Sequence, residues 1–427
     1  MNATVDPILL QESYDHSQVP WGGELEFPST RNLRQLAHRI YNRYPARSIS
    51  LVPRSILLGL GKSNEGRVTT VLDPFMGSGT TAVEAQVLGF TPMGVELDPF
   101  ARLIATVRTT ALDGSAKSEL MRAYKAIGKT WKKTKANKTL TPQLTGIQYW
   151  FASKQFLDLL KLKTAIYLET EEGVVRDFLR VTLADMVRPC SKAERQTLKP
   201  YISTKYLKAP AEVGAAFDKS FNAHLLAVEE IQSIYPGKRK SIQWLGSDGS
   251  NFREPEQSVS VAITSPPYIN ALDYVRCIKL ESAWVDTGRD DVFQTVRKKH
   301  VGERIHEEKD LHPAVLSVVG GLVKRIERLD SARARVVRSY FNDMLRNLEC
   351  VFRALVHGGE YHLIIGNSVV RGVEVETHSI TARLAETLGF RWGGYYKYRI
   401  RDHRTSIPRK GQGGKIEFEH VISLRKP

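Results

Sequence analysis

The hydrophobic pattern between residues 67 and 108 alternates between strand-like and helix-like segments. A β-branched apolar run at 68–73 precedes a glycine-rich turn and a helical pattern at 80–90. A second apolar run at 92–98 precedes a helical pattern that opens with Pro99, a residue favoured in the first turn of a helix. Alternating strands and helices are typical of a parallel sheet with helices on both faces, so the segment predicts an α/β fold.

The pattern becomes helical and basic from about residue 112 to 240, and strand-like runs return only afterwards. The simplest interpretation is one α/β domain, formed by 1–111 and 241–427 and interrupted by a mainly helical insertion at 112–240. A second helical, basic stretch at 292–345 is predicted to be a smaller excursion from the sheet. The later strand-like runs lie at 241–248, 258–268, 360–368, 391–400 and 415–424.

The charge balance indicates a polyanionic partner. The 427 residues include 62 Lys and Arg against 46 Asp and Glu, which gives a formal net charge of +16. A hydrophobic fraction of 42% can fill a folded core, so the composition excludes global disorder. No apolar run approaches the ~20 residues that span a bilayer, and we expect no secretory signal at the N-terminus.

The cysteine pattern indicates a reducing compartment. Cys190, Cys277 and Cys350 lie far apart and form no CxxC pair. This pattern excludes a disulfide framework and a cysteine-rich zinc site. We therefore expect a cytoplasmic protein without a structural metal.

The first motif is DPFMGSGTT at 73–81, between the first predicted strand and the first predicted helix. Its glycines allow a sharp turn and close approach to a ligand, and the amides of the helix start favour a carboxylate or phosphate. The spacing differs from the GxGxxG of nicotinamide enzymes, and Ile56 occupies the position that would be the first glycine of a phosphate loop ending in GKS at 61–63. Glu96 follows the next strand, where an acidic residue can accept ribose hydroxyls.

The second motif is TSPPY at 264–268, directly after another apolar strand. Its two prolines donate no backbone hydrogen bond and hold the chain in an extended turn, so nearby carbonyls point in fixed directions. A small hydroxyl, a rigid carbonyl and an aromatic face suit a planar base that carries an exocyclic amine.

Together these motifs resemble those of the DNA amino-methyltransferases, which methylate the N4 of cytosine or the N6 of adenine with S-adenosylmethionine. DPFMGSGTT is similar to the family's cofactor motif, GVELDP at 94–99 to its acidic motif, and TSPPY to its catalytic motif in the cytosine-N4 form. Residues 38–57, 245–248, 357–361 and 366–368 also follow the family's order. The resemblance covers about 30–110 and 240–427.

The resemblance implies a Rossmann-like methyltransferase fold, with a mixed, mostly parallel sheet of seven strands and helices on both faces. It implies that Glu96 takes the cofactor's ribose hydroxyls and Asp248 its adenine amine, while the glycine loop meets its methionine end. The implied cofactor-binding residues are Tyr44, Pro45, Asp73, Pro74, Phe75, Gly77, Gly79, Thr80, Thr81, Glu96, Leu97, Asp248 and Thr264. The implied catalytic residues are Ser265, Pro266, Pro267 and Tyr268.

The resemblance also implies a mechanism without a covalent enzyme intermediate. The Ser265 hydroxyl and the Pro266 carbonyl would bind the amine and favour a pyramidal nitrogen, whose lone pair can attack the methyl group. Tyr268 would stack on a cytosine flipped out of the duplex. The residues offer no obvious general base.

Four alternatives to cytosine-N4 methylation remain. Adenine-N6 methylation is disfavoured by Ser265, since the adenine enzymes more often have Asp or Asn there. An RNA methyltransferase and an inactive nucleic-acid-binding protein are two others. Cytosine-C5 methylation would need a nucleophilic cysteine after proline, but Pro189-Cys190 lies in a polar helical stretch, so we interpret Cys190 as structural.

The implied partners are double-stranded DNA and a separately encoded restriction endonuclease, in the cytoplasm of a prokaryote. We expect the insertion at 112–240 to read the target sequence, with 292–345 as the competing location. Salt-sensitive phosphate contacts are expected from basic residues in two stretches. The candidates are Lys132, Lys133, Lys135, Arg404, Arg409 and Lys410.

Overall fold

The computed structural model describes residues 19–27, 36–45, 48–63, 69–194, 197–235, 239–253, 257–269, 273–400 and 416–427. Arg404, Arg409 and Lys410, which the sequence suggests as DNA contacts, lie outside the described residues.

A seven-stranded mixed sheet forms the centre of the protein, in the order β3-β2-β1-β4-β5-β9-β8. Strands β1 to β5 are parallel to one another, whereas β9 runs antiparallel to both β5 and β8. The strands are β1 (Thr70–Asp73), β2 (Thr91–Val95), β3 (Gln243–Gly246), β4 (Val259–Thr264), β5 (Leu355–Gly366), β6 (Ser368–Val370), β7 (Val373–Val375), β8 (Arg391–Arg399) and β9 (Phe418–Arg425). A separate hairpin pairs β6 with β7.

Helices cover both faces of this sheet, which confirms the predicted Rossmann-like fold class. Adjacent residues of β1 show the two faces: Val71 packs with α1, and Leu72 packs with α10, α11 and α12. The helices are α1 (Leu51–Ser63), α2 (Thr80–Val87), α3 (Pro99–Thr109), α4 (Gly114–Thr130), α5 (Ser153–Glu169), α6 (Val174–Cys190), α7 (Val213–Ile234), α8 (Tyr274–Trp284), α9 (Asp290–Lys299), α10 (Pro313–Glu327), α11 (Ser331–Ala354) and α12 (Thr377–Glu386).

The helices α4 to α7, between β2 and β3, share one hydrophobic cluster with the sheet domain. Ile104 on α3, Phe178 on α6, Phe221 on α7 and Trp284 on α8 all lie within this cluster and are almost completely buried. Removing 112–240 would therefore expose the apolar sides of α3 and α8 to water.

The segment 292–345 differs from the predicted excursion, because two of its helices form a layer of the main domain. Val319 on α10 and Phe341 on α11 pack in the same cluster as Ala262 of β4 and Tyr361 of β5. The amphipathic pattern of these helices thus reflects burial against the sheet.

Among the described residues, neither a membrane-spanning helix nor a metal-binding cluster is found. None of their helices is long and apolar enough to cross a membrane. They also contain no cluster of three or more His, Cys, Asp or Glu side chains that could hold a metal ion.

Candidate active site

An open cleft lies beyond the carboxyl ends of four neighbouring strands. Open α/β sheets bind ligands at this edge, because the loops that leave parallel strands converge there. Pro74 and Phe75 follow β1, Glu96 and Leu97 follow β2, Ser247, Asp248 and Gly249 follow β3, and Ser265 and Pro267 follow β4. The structure therefore brings both sequence motifs to one cleft.

Asp73 lies beneath the glycine loop and ties it to neighbouring elements. Its Oδ1 accepts hydrogen bonds from the Phe75 amide at 3.0 Å and from the Thr264 hydroxyl at 2.5 Å. Burial raises the pKa of Asp73 to about 6, while hydrogen bonds from Thr264, Thr81 and the Phe75 amide lower it. Asp73 and Thr264 are buried and do not line the cleft, and their assignment as cofactor contacts stays a prediction.

Glu96 is held at the cleft by the backbone of the motif around it. Its carboxylate accepts the Gly77 amide at 2.6 Å and the Asp98 amide at 2.7 Å. Burial raises the pKa of Glu96 to about 7, the carboxylates of Asp98 and Asp73 add to the increase, and the two amides oppose it. Each carboxylate oxygen keeps a second lone pair, so Glu96 can accept hydroxyl groups from a ligand.

Asp248 lies on another side of the cleft and is oriented by a charged network. Its Oδ2 accepts from Arg304 at 3.0 Å, and Arg304 also donates to Asp343 at 2.9 Å. Burial alone would raise the pKa of Asp248, but the Arg304 guanidinium and hydrogen bonds from Ser250 hold it below its usual range. Asp248 is therefore a carboxylate at neutral pH and suits a ligand amine.

The motif at 264–268 places two of its residues on the cleft. Ser265 and Pro267 line it, whereas Pro266 is buried. Tyr268 is half-buried and outside the lining, and its hydroxyl donates to Glu419 on β9.

Tyr44 and Pro45 reach the cleft from the segment before α1. The preceding turn is held by Arg108 on α3, which donates to the carbonyls of Ile40 and Tyr41. The same guanidinium donates to the carbonyl of Ser78 at 2.8 Å. Arg108 thus fixes the N-terminal segment and the glycine loop relative to each other.

The remaining loop residues form the start of α2. Gly79 is the N-cap of this helix and supplies no side chain, while Thr80 and Thr81 in the first turn are buried. The free amides of such a helix start favour a carboxylate or phosphate. Gly79, Thr80 and Thr81 do not line the cleft, and their assignment as cofactor contacts stays a prediction.

Gly79 has a steric requirement that gives a testable prediction. Its φ is +85°, and an added Cβ would lie 2.9 Å from the Cβ of Ala105 on α3. We expect Gly79→Ala to lower the free energy of unfolding by about 2–4 kcal/mol, through left-handed strain plus the collision. Gly89→Ala is the matched control, because Gly89 has φ +83° and open space around its Cβ position. That control should lose only about 1–2 kcal/mol in urea unfolding; equal losses would contradict the steric argument.

Several residues that line the cleft lie outside the motifs recognised in the sequence. Tyr274 at the start of α8, Lys299 at the end of α9, and His300 and Val301 directly after it all line the cleft. The rings of Tyr274 and His300 lie 5.0 Å apart. Ser247 and Gly249 could have been suggested by their position beside Asp248, but no sequence signal marks residues 299–301.

The other sequence candidates lie away from the cleft. Lys132, Lys133 and Lys135 are exposed just after α4 and do not line it. Cys190, the residue weighed as a nucleophile, is completely buried in the cluster of the helical insertion. Its burial fits the interpretation of Cys190 as a structural residue.

Comparison with known proteins finds relatives that are type II methyltransferases. One is M.MvaI of Kocuria varians, 21% identical over 373 residues, or 83% of this chain and 82% of that protein. Another is M.AvaI of Nostoc sp., 23% identical over 424 residues, or 90% of this chain and 84% of that protein. A crystal structure of a putative DNA modification methylase from Thermus thermophilus is 19% identical over 40% of this chain and 48% of that one, with a TM-score of 0.22. No model of a protein family matches the chain.

Proposed function

We propose that the protein is a DNA methyltransferase that transfers a methyl group from S-adenosylmethionine to the N4 amine of cytosine. The chain matches type II methyltransferases over most of their length, and this similarity supports DNA methylation. The observation that carries the finer assignment is that Ser265 lines the same cleft as Glu96 and Asp248. A small hydroxyl at that place suits an amine on a pyrimidine.

The cleft fits the proposed cofactor. S-adenosylmethionine presents ribose hydroxyls and an adenine amine as donors, and the cleft offers carboxylate acceptors in Glu96 and Asp248. When bound, the cofactor supplies a methyl group activated by a positively charged sulfur. Phe75 and Leu97 add apolar surface beside these acceptors.

The chain's part in the reaction is to bind and orient the amine. Ser265 and the Pro266 carbonyl hold the nitrogen, and Pro267 keeps this turn rigid. Holding the reacting atoms ~3–3.5 Å apart supplies much of the rate acceleration. Tyr268 stacks on the base after the base has flipped out of the duplex. Flipping the base costs a few kcal/mol.

Product analysis tests the assignment. The protein is incubated with methyl-labelled S-adenosylmethionine and mixed-sequence duplex DNA, and the nucleosides are separated and identified by mass. We expect labelled N4-methylcytosine. Labelled N6-methyladenine would replace the proposal with the adenine alternative, and label found only in an RNA control would overturn the DNA assignment.

Duplex DNA is the proposed substrate, and a basic, aromatic surface beside α8 is a candidate phosphate contact. Lys279 on α8 lies 4.9 Å from the ring of Trp150, and Lys192 lies 5.0 Å from the ring of Tyr149. Arg276 is exposed one turn before Lys279. Because α8 begins shortly after the motif at 264–268, DNA at the cleft would reach this surface.

A salt titration distinguishes this surface from the lysines after α4. We expect a triple alanine variant of Lys192, Arg276 and Lys279 to reduce the slope of log K against log salt by about 1 for each lost phosphate contact. The charge-matched control is the triple alanine variant of Lys132, Lys133 and Lys135. A reduced slope in the control alone would place the phosphates beside α4 instead.

We propose that 112–240 also reads the target sequence, with 292–345 as the alternative. Since the insertion shares the buried cluster of α3 and α8, its deletion would unfold the protein rather than alter site preference. Substitutions of exposed residues are therefore the appropriate test. Unchanged preference after such changes on α4 to α7 would contradict the proposal. A separately encoded restriction endonuclease is the proposed functional partner.

A further inference from the structure

A half-buried carboxylate on β9 contacts the aromatic residue of the TSPPY motif. Glu419 accepts a hydrogen bond from the Tyr268 hydroxyl at one oxygen and from the Tyr398 hydroxyl at the other. The register of the sheet creates this arrangement, because Glu419 pairs with Gly366 of β5 on one side and with Tyr398 of β8 on the other. Glu419 therefore lies between the catalytic loop and the edge strand.

Packing restricts the same ring from a second direction. A Cβ added at Gly366 would lie 2.9 Å from Cε1 of Tyr268 and 3.0 Å from Cγ2 of Ile416. The Tyr268 ring thus rests directly on the backbone at the end of β5. A larger residue at 366 would displace the ring.

Tyr398 connects this contact to the hydrophobic core. Its ring packs edge to face on Phe27 at 5.3 Å, and both residues belong to the cluster that includes α1. Burial raises the pKa of Glu419, and the hydrogen bonds from Tyr268 and Tyr398 oppose that rise. A half-buried carboxylate with two phenol donors is well satisfied, whereas removal of its acceptors would leave the buried Tyr398 hydroxyl without a partner.

We propose that Glu419 is a positioning residue that fixes the orientation of the Tyr268 ring for stacking on the target base. The inference rests on the proposed function, in which Tyr268 meets the base. Glu419 then contacts neither the cofactor nor the base and acts only through the Tyr268 hydroxyl. Its loss should therefore lower turnover and leave the cofactor affinity unchanged.

A double-mutant cycle tests the path through the hydroxyl. Tyr268→Phe keeps the ring but removes the hydroxyl, and Glu419→Gln weakens the acceptor at nearly constant volume. We expect each variant to lower kcat about 5–10-fold, the size of one lost hydrogen bond, with the Kd of S-adenosylmethionine within about twofold of wild type. The double variant should be no slower than the slower single variant. Multiplying effects would overturn the inference, because Glu419 would then act by another route.

Tyr398→Phe is the matched control for a purely structural role. It removes the other hydrogen bond to Glu419 and leaves the Tyr268 bond in place. We expect thermal stability to fall about as much as in Glu419→Gln, while kcat changes by less than about twofold. A loss of kcat equal to that of Glu419→Gln would show that Glu419 supports the strands rather than Tyr268.

A spectroscopic measurement separates this inference from the proposed function. In protein labelled with 3-fluorotyrosine, the 19F resonance of Tyr268 should shift and broaden in Glu419→Gln but not in Tyr398→Phe. This readout requires no DNA and no turnover. An unchanged Tyr268 resonance in Glu419→Gln would overturn the positioning role, whereas failure of wild-type protein to methylate DNA would overturn only the proposed function.

Discussion

Replacement of Ser265 with alanine is expected to lower kcat by about 10²–10³-fold, the usual cost of one well-placed polar group that acts on the reacting atoms. The affinity for S-adenosylmethionine should change by less than about threefold, because Glu96 and Asp248 remain to bind the cofactor. Ser265 lies at the cleft directly after β4, where it can meet the amine. The loss should therefore fall on the transition state rather than on binding.

The measurement is single-turnover methyl transfer, together with the cofactor Kd from calorimetry. Ser118→Ala is a suitable control, because Ser118 is exposed on α4 and donates only to the Gly114 carbonyl. It should behave as wild type. If Ser265→Ala instead kept its kcat and lost cofactor affinity, the TSPPY loop would belong to the cofactor site and not to the target base.

The sequence predicts the parts of this site that depend on local pattern. Each strand-like run contains a strand, because apolar and β-branched residues fit the pleated surface of a buried sheet. Glu96 is found from its spacing to the glycine loop, and the structure joins it to Gly77 by a hydrogen bond across 19 residues. Motif order alone thus brings the loop and Glu96 to one edge of the sheet.

The residues that the sequence misses depend on long-range packing. Glu419 lies 151 residues from Tyr268, and only the antiparallel register of β9 brings the two together. Residues 299–301 reach the cleft because α8 and α9 return the chain to it, and no local spacing encodes that path. Thr264, which the sequence predicts as a cofactor contact, donates its hydroxyl to Asp73 across 191 residues, a contact that its motif position does not indicate.

Glu96→Gln is expected to weaken S-adenosylmethionine binding by about 10²-fold or more, since each hydrogen bond to a charged acceptor is worth roughly 1.5–3 kcal/mol. The glutamine amide has a single acceptor oxygen and an NH2 donor, so the backbone amides of Gly77 and Asp98 would lose one of their two acceptors. The saturated kcat should fall much less than the affinity. A variant with normal Kd but low kcat would show that Glu96 has a role in the chemical step instead.

The raised pKa of Glu96 predicts a distinct pH dependence of cofactor binding. With a pKa of about 7 in the free protein, the carboxyl is mostly protonated at pH 6 and mostly ionised at pH 8. If the ribose hydroxyls need the carboxylate, Kd should rise about tenfold as the pH falls from 8 to 6, by linkage to one proton.

Folding without cofactor should respond to pH in the opposite direction. The folded-state pKa of Glu96 lies above its ordinary value of 4.5, so the folded state binds the proton more tightly than the unfolded state. The contribution of Glu96 to the free energy of unfolding is therefore greatest below about pH 4.5 and is lost as the pH rises towards 7. Saturating cofactor should remove this trend, because the ligand favours the ionised form and Glu96 is then ionised in both the bound and the unfolded protein.

The two opposed trends can be measured in one experiment, as the melting temperature from pH 5.5 to 8.5 with and without S-adenosylmethionine. We expect the stabilisation by cofactor to grow with pH, with a midpoint near 7. Asp98→Asn keeps the oxygen that caps α3 but removes a carboxylate that raises the pKa of Glu96, so the midpoint should move to lower pH. In Glu96→Gln the growth between pH 6.5 and 8.5 should disappear. If the growth persisted in that variant, another group would be the titrating one, and Glu96 would not be the acceptor of the ribose hydroxyls.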